Sequence, residues 1–156
     1  MNSADNSFFS KPYLKSLFWI QNNWHQHGIL VHTLRVTYYI LKAGDFKLFA
    51  AGLLHDIGKP SVAFQKPEDV EFGEYSFTDH EEKSYQIIKN WPFISEYTKQ
   101  IVRNHYLIRD IKKSFTEDKS RYDSKKKIWD GLSKNIQKDL ERFIRYDDLG
   151  KGKKRR

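Results

Sequence analysis

A histidine and an aspartate stand side by side at the end of an apolar stretch near the middle of the chain. The stretch covers residues 49–54, and His55 and Asp56 follow it directly, ahead of Gly58 and Pro60. Small and branched apolar residues predict a buried helix, and the glycine and proline predict its end. Imidazole and carboxylate groups are costly to bury alone, and both are good ligands for a divalent cation. A metal site, or a histidine that only hydrogen-bonds the carboxylate, would explain this pair.

Other histidines and an aspartate continue the apolar faces of neighbouring predicted helices. His32 lies near the start of a predicted helix over 29–43, and the next predicted helix ends at His55. The link between them, at Gly44, is so short that the two helices must pack antiparallel. We therefore expect His32 and His55 to meet. His80 begins and His105 ends two further predicted helices, so antiparallel packing would bring both to one end of a bundle.

The string from His55 to Pro60, HDIGKP, resembles the signature of the HD-domain phosphohydrolase superfamily. His32 is similar to the first histidine of that family, and Asp147, in the string YDDLG, is similar to its last aspartate. The short spacing from His32 to His55 is similar to that in HD domains attached to bacterial tRNA nucleotidyltransferases. This chain carries no nucleotidyltransferase portion, so it resembles a stand-alone HD domain.

The resemblance implies a set of metal ligands. His32, His55, Asp56 and Asp147 would hold a first divalent ion, with Asp147 rather than Asp148 on the apolar stripe of the last helix. His80 and His105 resemble two additional histidines of many members, which either bind a second ion bridged by Asp56 or contact the substrate phosphate. Manganese, iron, nickel, cobalt, zinc and magnesium all suit such ligands, so the identity and number of ions, one or two, stay open.

Catalysis and substrate binding are predicted for residues next to these ligands. We predict Asp56 and Lys59 as catalytic residues. Lys59 follows the doublet, the adjacent His55 and Asp56, and places a positive charge against a phosphate. Its alternative role is to cap the helix C-terminus. Arg35 lies one turn after His32, and Arg109 one turn after His105. Lys59, Arg35 and Arg109 are the predicted substrate-binding residues, although each arginine is equally consistent with a surface ion pair.

The expected function is metal-dependent hydrolysis of a phosphoester of a nucleotide or an RNA terminus. A bound metal lowers the pKa of water and screens charge on the phosphoryl oxygens. Similarity to the tRNA-enzyme HD domains favours a 2′,3′-cyclic phosphate or a 2′-phosphate. The enzymatic alternatives are a nucleotidase, a nucleoside triphosphate hydrolase and a cyclic-nucleotide phosphodiesterase. The non-enzymatic alternative is an RNA-binding module in which the metal is a structural clip.

Composition limits the class of protein. The chain has 156 residues and no cysteine, so thiolate zinc sites, disulfides and cysteine nucleophiles are excluded. The net charge is +8, of which the tail 151–156 holds five. We expect this tail to lie outside the packed domain, either as a solubilising end or as a contact for nucleic acid. No apolar run reaches the roughly 20 residues of a membrane span, and no signal peptide is visible, so we expect a cytoplasmic protein.

The predicted fold is an all-α bundle of six or seven helices. Residues 1–27, with a first helix over 12–22, and the HD domain over 28–150 form one unit, and the basic tail follows. His25 and His27 lie in a predicted surface turn, with a role at the substrate rim as the alternative. Residues 60–77 are a predicted loop with weak pairing of 70–72 with 74–76, and Thr78 and Glu81 form a predicted capping box. The charge-rich stretch 110–127 is a predicted solvated loop or frayed helix, ahead of a last helix over 128–146.

Overall fold

The computed structural model describes residues 10–155, and within them helices dominate. The α-helices are α1 (Lys11–Ser16), α2 (Ile29–Lys42), α3 (Phe49–Leu54), α4 (Lys59–Val62), α5 (Pro67–Val70), α6 (His80–Ile88), α7 (Glu96–Asn104), α8 (Leu107–Glu117), α9 (Lys119–Gly131) and α10 (Lys134–Lys151), with a 3₁₀ turn at Phe46–Leu48 before α3. The all-α prediction is confirmed. Six helices of the described chain have nine or more residues, and the remaining four are short.

The core lies between α2, α3, α6, α7 and α10. α10 packs along α2, and α3 packs on both α2 and α7. The buried apolar residues from these elements form one cluster: Val36, Ile40, Leu48, Ala51, Ile88, Ile101, Val102, Ile136, Leu140 and Phe143. Burial of such side chains contributes about 1.5–3 kcal/mol each. This packing fixes the positions of the helix ends and therefore of the polar residues that lie on them.

Residues 60–77 are more ordered than the predicted loop. They contain α4, strand β2 (Ala63–Phe64), α5 and strand β3 (Glu74–Phe77). β3 pairs antiparallel with β2 and parallel with β1 (Ile20–Gln21), giving a three-stranded sheet in the order β1-β3-β2. The predicted pairing of 70–72 with 74–76 is therefore wrong, because Val70 ends α5 instead. The sheet also shortens the first helix, which stops at Ser16.

The start of α6 departs from the predicted capping box. Asp79, not Thr78, is the N-cap residue, its φ is 55° and its side chain makes no capping hydrogen bond. Glu81 is buried and its Oε2 lies 3.4 Å from Nδ1 of His80 instead of returning to the cap. At the beginning of α6, Glu81 therefore contacts the His80 ring in place of the predicted capping box.

The charge-rich stretch 110–127 forms most of two packed helices, α8 and α9, which corrects the prediction of a solvated loop or frayed helix. Asp110 on α8 is buried, and Arg121 and Lys125 of α9 approach its carboxylate to 3.0 and 2.9 Å. These ion pairs join the two helices, together with an edge-to-face contact between the rings of Phe115 and Tyr122. α9 ends at Gly131, so the last helix begins at Lys134 with Ser133 as its N-cap rather than at residue 128.

The basic tail runs along the surface of the domain: residues 152–155 are exposed, and they contact the turn before α2. Lys151 is the last residue of α10, and its carbonyl accepts a hydrogen bond of 2.8 Å from the Gln26 amide. The Arg155 amide donates to the Asn23 carbonyl at 2.9 Å. Residue 156 lies outside the described residues. Among residues 10–155, no helix combines the length and the apolar character that crossing a bilayer would need.

Candidate metal centre

Five helix ends bring six predicted ligands to one place. His32 lies in the first turn of α2, His80 begins α6, and His105 follows the last residue of α7. His55 and Asp56 follow α3, and Asp147 lies in the last turn of α10. All six residues are buried: His32, His55, Asp56, His80, His105 and Asp147. The structure therefore brings together every residue that the sequence predicts as a ligand.

A first cluster joins His32, His55 and Asp147. The Nε2 atoms of His32 and His55 lie 3.3 Å apart. Asp147 Oδ1 lies 2.9 Å from His32 Nε2 and 3.5 Å from His55 Nε2. One ligand atom from each residue therefore faces a common point, and the three residues form a group that could hold a metal ion.

A second cluster joins Asp56, His80 and His105, and Asp56 connects the two clusters. The Nε2 atoms of His80 and His105 are 3.1 Å apart and lie 3.5 and 3.9 Å from Asp56 Oδ1. The other oxygen, Oδ2, lies 3.4 Å from His32 Nε2 and 3.3 Å from His55 Nε2. Each oxygen of one carboxylate thus faces one cluster, the arrangement of a ligand that bridges two ions.

Backbone carbonyls set the tautomer of three of the histidines. Nδ1 of His55 lies 2.9 Å from the Gly52 carbonyl, Nδ1 of His80 lies 3.0 Å from that of Phe77, and Nδ1 of His105 lies 2.7 Å from that of Val102. A carbonyl oxygen only accepts, so each Nδ1 carries a hydrogen and each neutral ring has its lone pair on Nε2. Metal-binding histidines are oriented by partners of this kind.

His55 of the first cluster and the histidines of the second cluster differ in their pKa values. Burial alone would lower the pKa of His55, but the carboxylates of Asp56 and Asp147 raise it to about 9. Burial and the nearby Lys59 ammonium lower the pKa of His80 to about 4, and burial with neighbouring His80 holds the pKa of His105 well below its usual range. The first cluster therefore favours a positive charge at its centre, and the second offers neutral imidazoles.

The residues fit a divalent metal ion. Asp56 is 1% exposed, its Oδ1 accepts no hydrogen bond, and its Oδ2 has the Lys59 ammonium 2.7 Å away. Two histidine lone pairs at 3.1 Å also repel unless a cation or a proton lies near them. Coordination of a cation by these oxygens and Nε2 atoms would remove both costs.

Residues 29–145 of the chain match the family model described as HD domain. That range covers about three quarters of the chain and includes every predicted ligand except Asp147, which lies two residues beyond it. The chain belongs to the HD domain family. HD domains bind divalent metal ions and are metal-dependent phosphohydrolases, which agrees with the two ligand groups. No curated protein and no solved structure matches the chain.

Two of the three predicted phosphate-binding residues of this HD domain lie at the centre, and one does not. Lys59 is buried, with Nζ 2.7 Å from Asp56 Oδ2 and 2.5 Å from Gln21 Oε1. Arg109 spans Asp147 and Asp148, each at 2.6 Å. Arg35 instead donates to the carbonyls of Gly150 and Leu149 at the end of α10, at 3.2 and 3.3 Å, and does not line the pocket of the centre. Its position is that of a helix C-terminal cap.

The centre opens into a cavity of about 770 Å³. Its wall includes Asp56, Lys59, His80, His105, Arg109 and Asp147, together with the aromatic residues Trp24, Phe64, Phe77 and Tyr106. α8 and α9 supply one side of it, which sequence reasoning missed because it treated this stretch as solvated. A cavity of this size admits a molecule as large as a nucleotide.

Ser84 holds the His55–Asp56 doublet in place, a contact that was not predicted from the sequence. The Gly58 amide donates to Ser84 Oγ at 2.9 Å, and this hydroxyl donates to the His55 carbonyl at 2.7 Å. A Cβ at Gly58 would lie 2.4 Å from the Ser84 amide nitrogen. Glycine at 58 is therefore needed for close approach of the doublet to α6, beyond its predicted role of ending a helix.

Proposed function

We propose that this chain is a metal-dependent phosphohydrolase with a two-ion centre that cleaves a phosphoester of a nucleotide or an RNA terminus. The observation that supports it most is the placement of Asp56, which lines the cavity and whose two oxygens face separate clusters. His32, His55 and Asp147 would hold one ion, and His80 and His105 the other, with Asp56 shared. Bound divalent ions activate water and stabilise charge on a phosphoryl group.

The chain's own cations would bind and orient the phosphate. Lys59 Nζ carries three N–H donors, and contacts to Asp56 and Gln21 use two of them. The Arg109 guanidinium carries five donors, more than its two carboxylate contacts need. Both residues line the cavity beside the ligands, so a phosphate there would meet positive charge on two sides.

The 2′,3′-cyclic phosphate or 2′-phosphate type of substrate remains our first choice, on the similarity to the tRNA-enzyme HD domains. The aromatic rings in the cavity wall suit a base in any nucleotide, so the nucleotidase, triphosphate hydrolase and cyclic-nucleotide phosphodiesterase alternatives share this support. An RNA-binding module with a structural metal is less favoured. A structural clip needs no cavity at the metal, whereas this centre opens into one.

A substrate panel tests the proposal. The purified chain is stripped with a chelator, reloaded separately with manganese, iron, nickel, cobalt, zinc and magnesium, and assayed against bis(4-nitrophenyl) phosphate, 4-nitrophenyl phosphate, 2′,3′-cyclic AMP, AMP and ATP. His55→Ala is the inactive control. We expect metal-dependent turnover with preference for the cyclic phosphate. Preference for AMP or ATP would favour the corresponding alternative, and no turnover with any metal would favour the binding module.

A further inference from the structure

A turn before α2 forms part of the cavity wall beside the first cluster. Asn22, Trp24 and His25 of this turn line the cavity. The ring of His25 meets the ring of His32 edge to face, with 5.0 Å between their centroids. The turn precedes the range matched by the family model, so it is a feature of this chain outside that range. The sequence predicts a surface turn at His25, with a role at the substrate rim as the alternative, and the structure places its ring against that of the predicted ligand His32.

The hydrogen bonds of Asn22 fix the tautomer of His25. Asn22 Oδ1 accepts a hydrogen bond of 3.2 Å from the Trp24 amide, so this atom is the amide oxygen. His25 Nδ1 lies 3.1 Å from the same atom and must therefore donate to it. The lone pair of the neutral ring is then on Nε2. A cavity-wall imidazole of this form accepts a hydrogen bond from a donor on a bound molecule.

The basic tail holds this turn in place. We call residues 151–155 the strap. The Gln26 amide donates to the Lys151 carbonyl at 2.8 Å, and the Lys153 amide donates to Gln26 Oε1 at 3.1 Å. The Lys154 ammonium lies 4.4 Å from the centroid of the Trp24 ring. The strap therefore contacts both residues that flank His25 in the sequence.

The path of the strap depends on Gly152. Its φ is 72° and its ψ is −146°, a combination open almost only to glycine. A Cβ at this position would also lie 2.5 Å from Gln26 Oε1. Alanine at 152 would therefore displace the strap from the turn. Gly44 has the same φ of 72° with nothing within 4 Å of a Cβ, so it offers a matched control.

We propose that His25 is a substrate-contacting residue whose Nε2 accepts a hydrogen bond from a hydroxyl on the alcohol part of the phosphoester, and that the strap positions it. The inference rests on the proposed function and names a class of substrate, a phosphoester of an alcohol that carries a further hydroxyl, as ribose does. Lys151, Lys154 and Arg155 act in this arrangement within the chain, at Asp148, Trp24 and Glu74 respectively. These contacts argue against a free tether for nucleic acid.

Amide hydrogen exchange tests the strap without any turnover. In the full-length protein, Gly152→Ala should speed exchange of the Gln26 amide by at least tenfold, because its acceptor at Lys151 is displaced. Gly44→Ala, at a position with the same φ and nothing within 4 Å of a Cβ, should leave Gln26 exchange unchanged. Unchanged exchange in Gly152→Ala would overturn the positioning role of the strap.

Kinetics tests the contact made by His25. For the ribonucleotide of the panel that is turned over fastest, His25→Ala and Gly152→Ala should each lower kcat/KM about tenfold, the loss of one hydrogen bond. The double variant should lose no more than either single variant, since the strap acts through His25. For 4-nitrophenyl phosphate, whose ester group has no hydroxyl, the same variants should change kcat/KM less than twofold.

Each remaining outcome decides the proposal. Equal losses on both substrates would reduce His25 to a structural role, and multiplied losses in the double variant would show that the strap acts elsewhere. A wild type without turnover on any substrate would contradict the proposed function instead. In that case calorimetric titration of the manganese-loaded protein with AMP decides: weaker binding in His25→Ala supports the contact, and unchanged binding or none overturns it.

Discussion

Lys59 is the residue whose role the structure changes most. The sequence left it between phosphate binding and helix capping, and the structure buries it against the Asp56 carboxylate. A buried ammonium must be paired, and here its partner is the predicted bridging ligand. A bound phosphate would compete with Asp56 for the same N–H donors. Lys59 thus lies where charge on a substrate would be neutralised at the reacting centre.

Replacement of this ammonium should separate catalysis from metal binding. Lys59→Met keeps most of the length of the side chain and removes its charge, so bound metal should stay at the wild-type level while kcat falls about 10-fold to 100-fold. Elemental analysis and steady-state kinetics on the same samples measure both. Lys83→Met, on the exposed side of α6, is the control. A kcat equal to that of wild type would assign Lys59 a purely structural role.

Arg109 should contribute mainly to substrate binding. Its guanidinium bridges Asp147 and Asp148 and lines the cavity. Arg109→Gln should raise KM about tenfold, with a smaller change in kcat, because the lost donors serve the phosphate rather than the metal. Arg103→Gln removes a guanidinium from an exposed ion pair with Glu82 and serves as the control. If both variants show the same KM, the phosphate does not contact Arg109.

Among the elements, Asp139 joins three helical segments on the side of the domain away from the cavity. Its carboxylate is buried and accepts hydrogen bonds from Tyr97 at 2.7 Å, Lys47 at 2.8 Å and Arg142 at 2.5 Å. Burial raises the pKa of Asp139, and the bonds from Lys47, Tyr97 and Arg142 together lower it below its usual value. This carboxylate connects α7, α10 and the 3₁₀ turn before α3.

Asp139→Ala should lower the free energy of unfolding by about 2 kcal/mol, because it leaves the partly buried Tyr97 hydroxyl without its acceptor. The folded-state pKa lies below the unfolded value near 4. The contribution is therefore present above pH 4 and is lost as the pH falls through the folded-state pKa. Urea unfolding at pH 7 and at pH 3 measures this, with Asp123→Ala on exposed α9 as control. An equal deficit at both pH values would contradict the depressed pKa.

The elements with an apolar stripe were predictable, and those without one were not. α2 and α7 follow from helical spacing of apolar residues, and their ends place His32 and His105 as expected. α9 has no fully buried residue, although Trp129 packs against the core and Tyr122 meets Phe115 of α8, and ion pairs to Asp110 add to the contact between the two helices. Periodicity reports apolar burial, so a helix with so little of it gives a weak signal.

At the scale of the whole molecule, the convergence of the predicted ligands could be foreseen because chemistry and packing agree. Histidines at helix ends, in line with apolar stripes, can only meet at one end of a bundle, and the short link at Gly44 fixes the first pair. The strap was not predictable, since it is joined to the turn before α2 largely by backbone hydrogen bonds, which have no residue signature. Its basic composition suggested a loose tail. The position predicted for Arg35, at the phosphate, was wrong. Helical spacing predicts the face of α2 on which this residue lies, but not that the end of α10 packs against it.

The number of metal ions per chain tests the two-ion centre most directly. Elemental analysis after loading and gel filtration should give two ions for wild type, one for the His80→Ala/His105→Ala double variant and fewer than one for Asp56→Ala, since Asp56 serves both clusters. His27→Ala, outside both clusters, should keep two. Wild-type stoichiometry in Asp56→Ala, or no metal in the wild type, would contradict a centre bridged by this carboxylate.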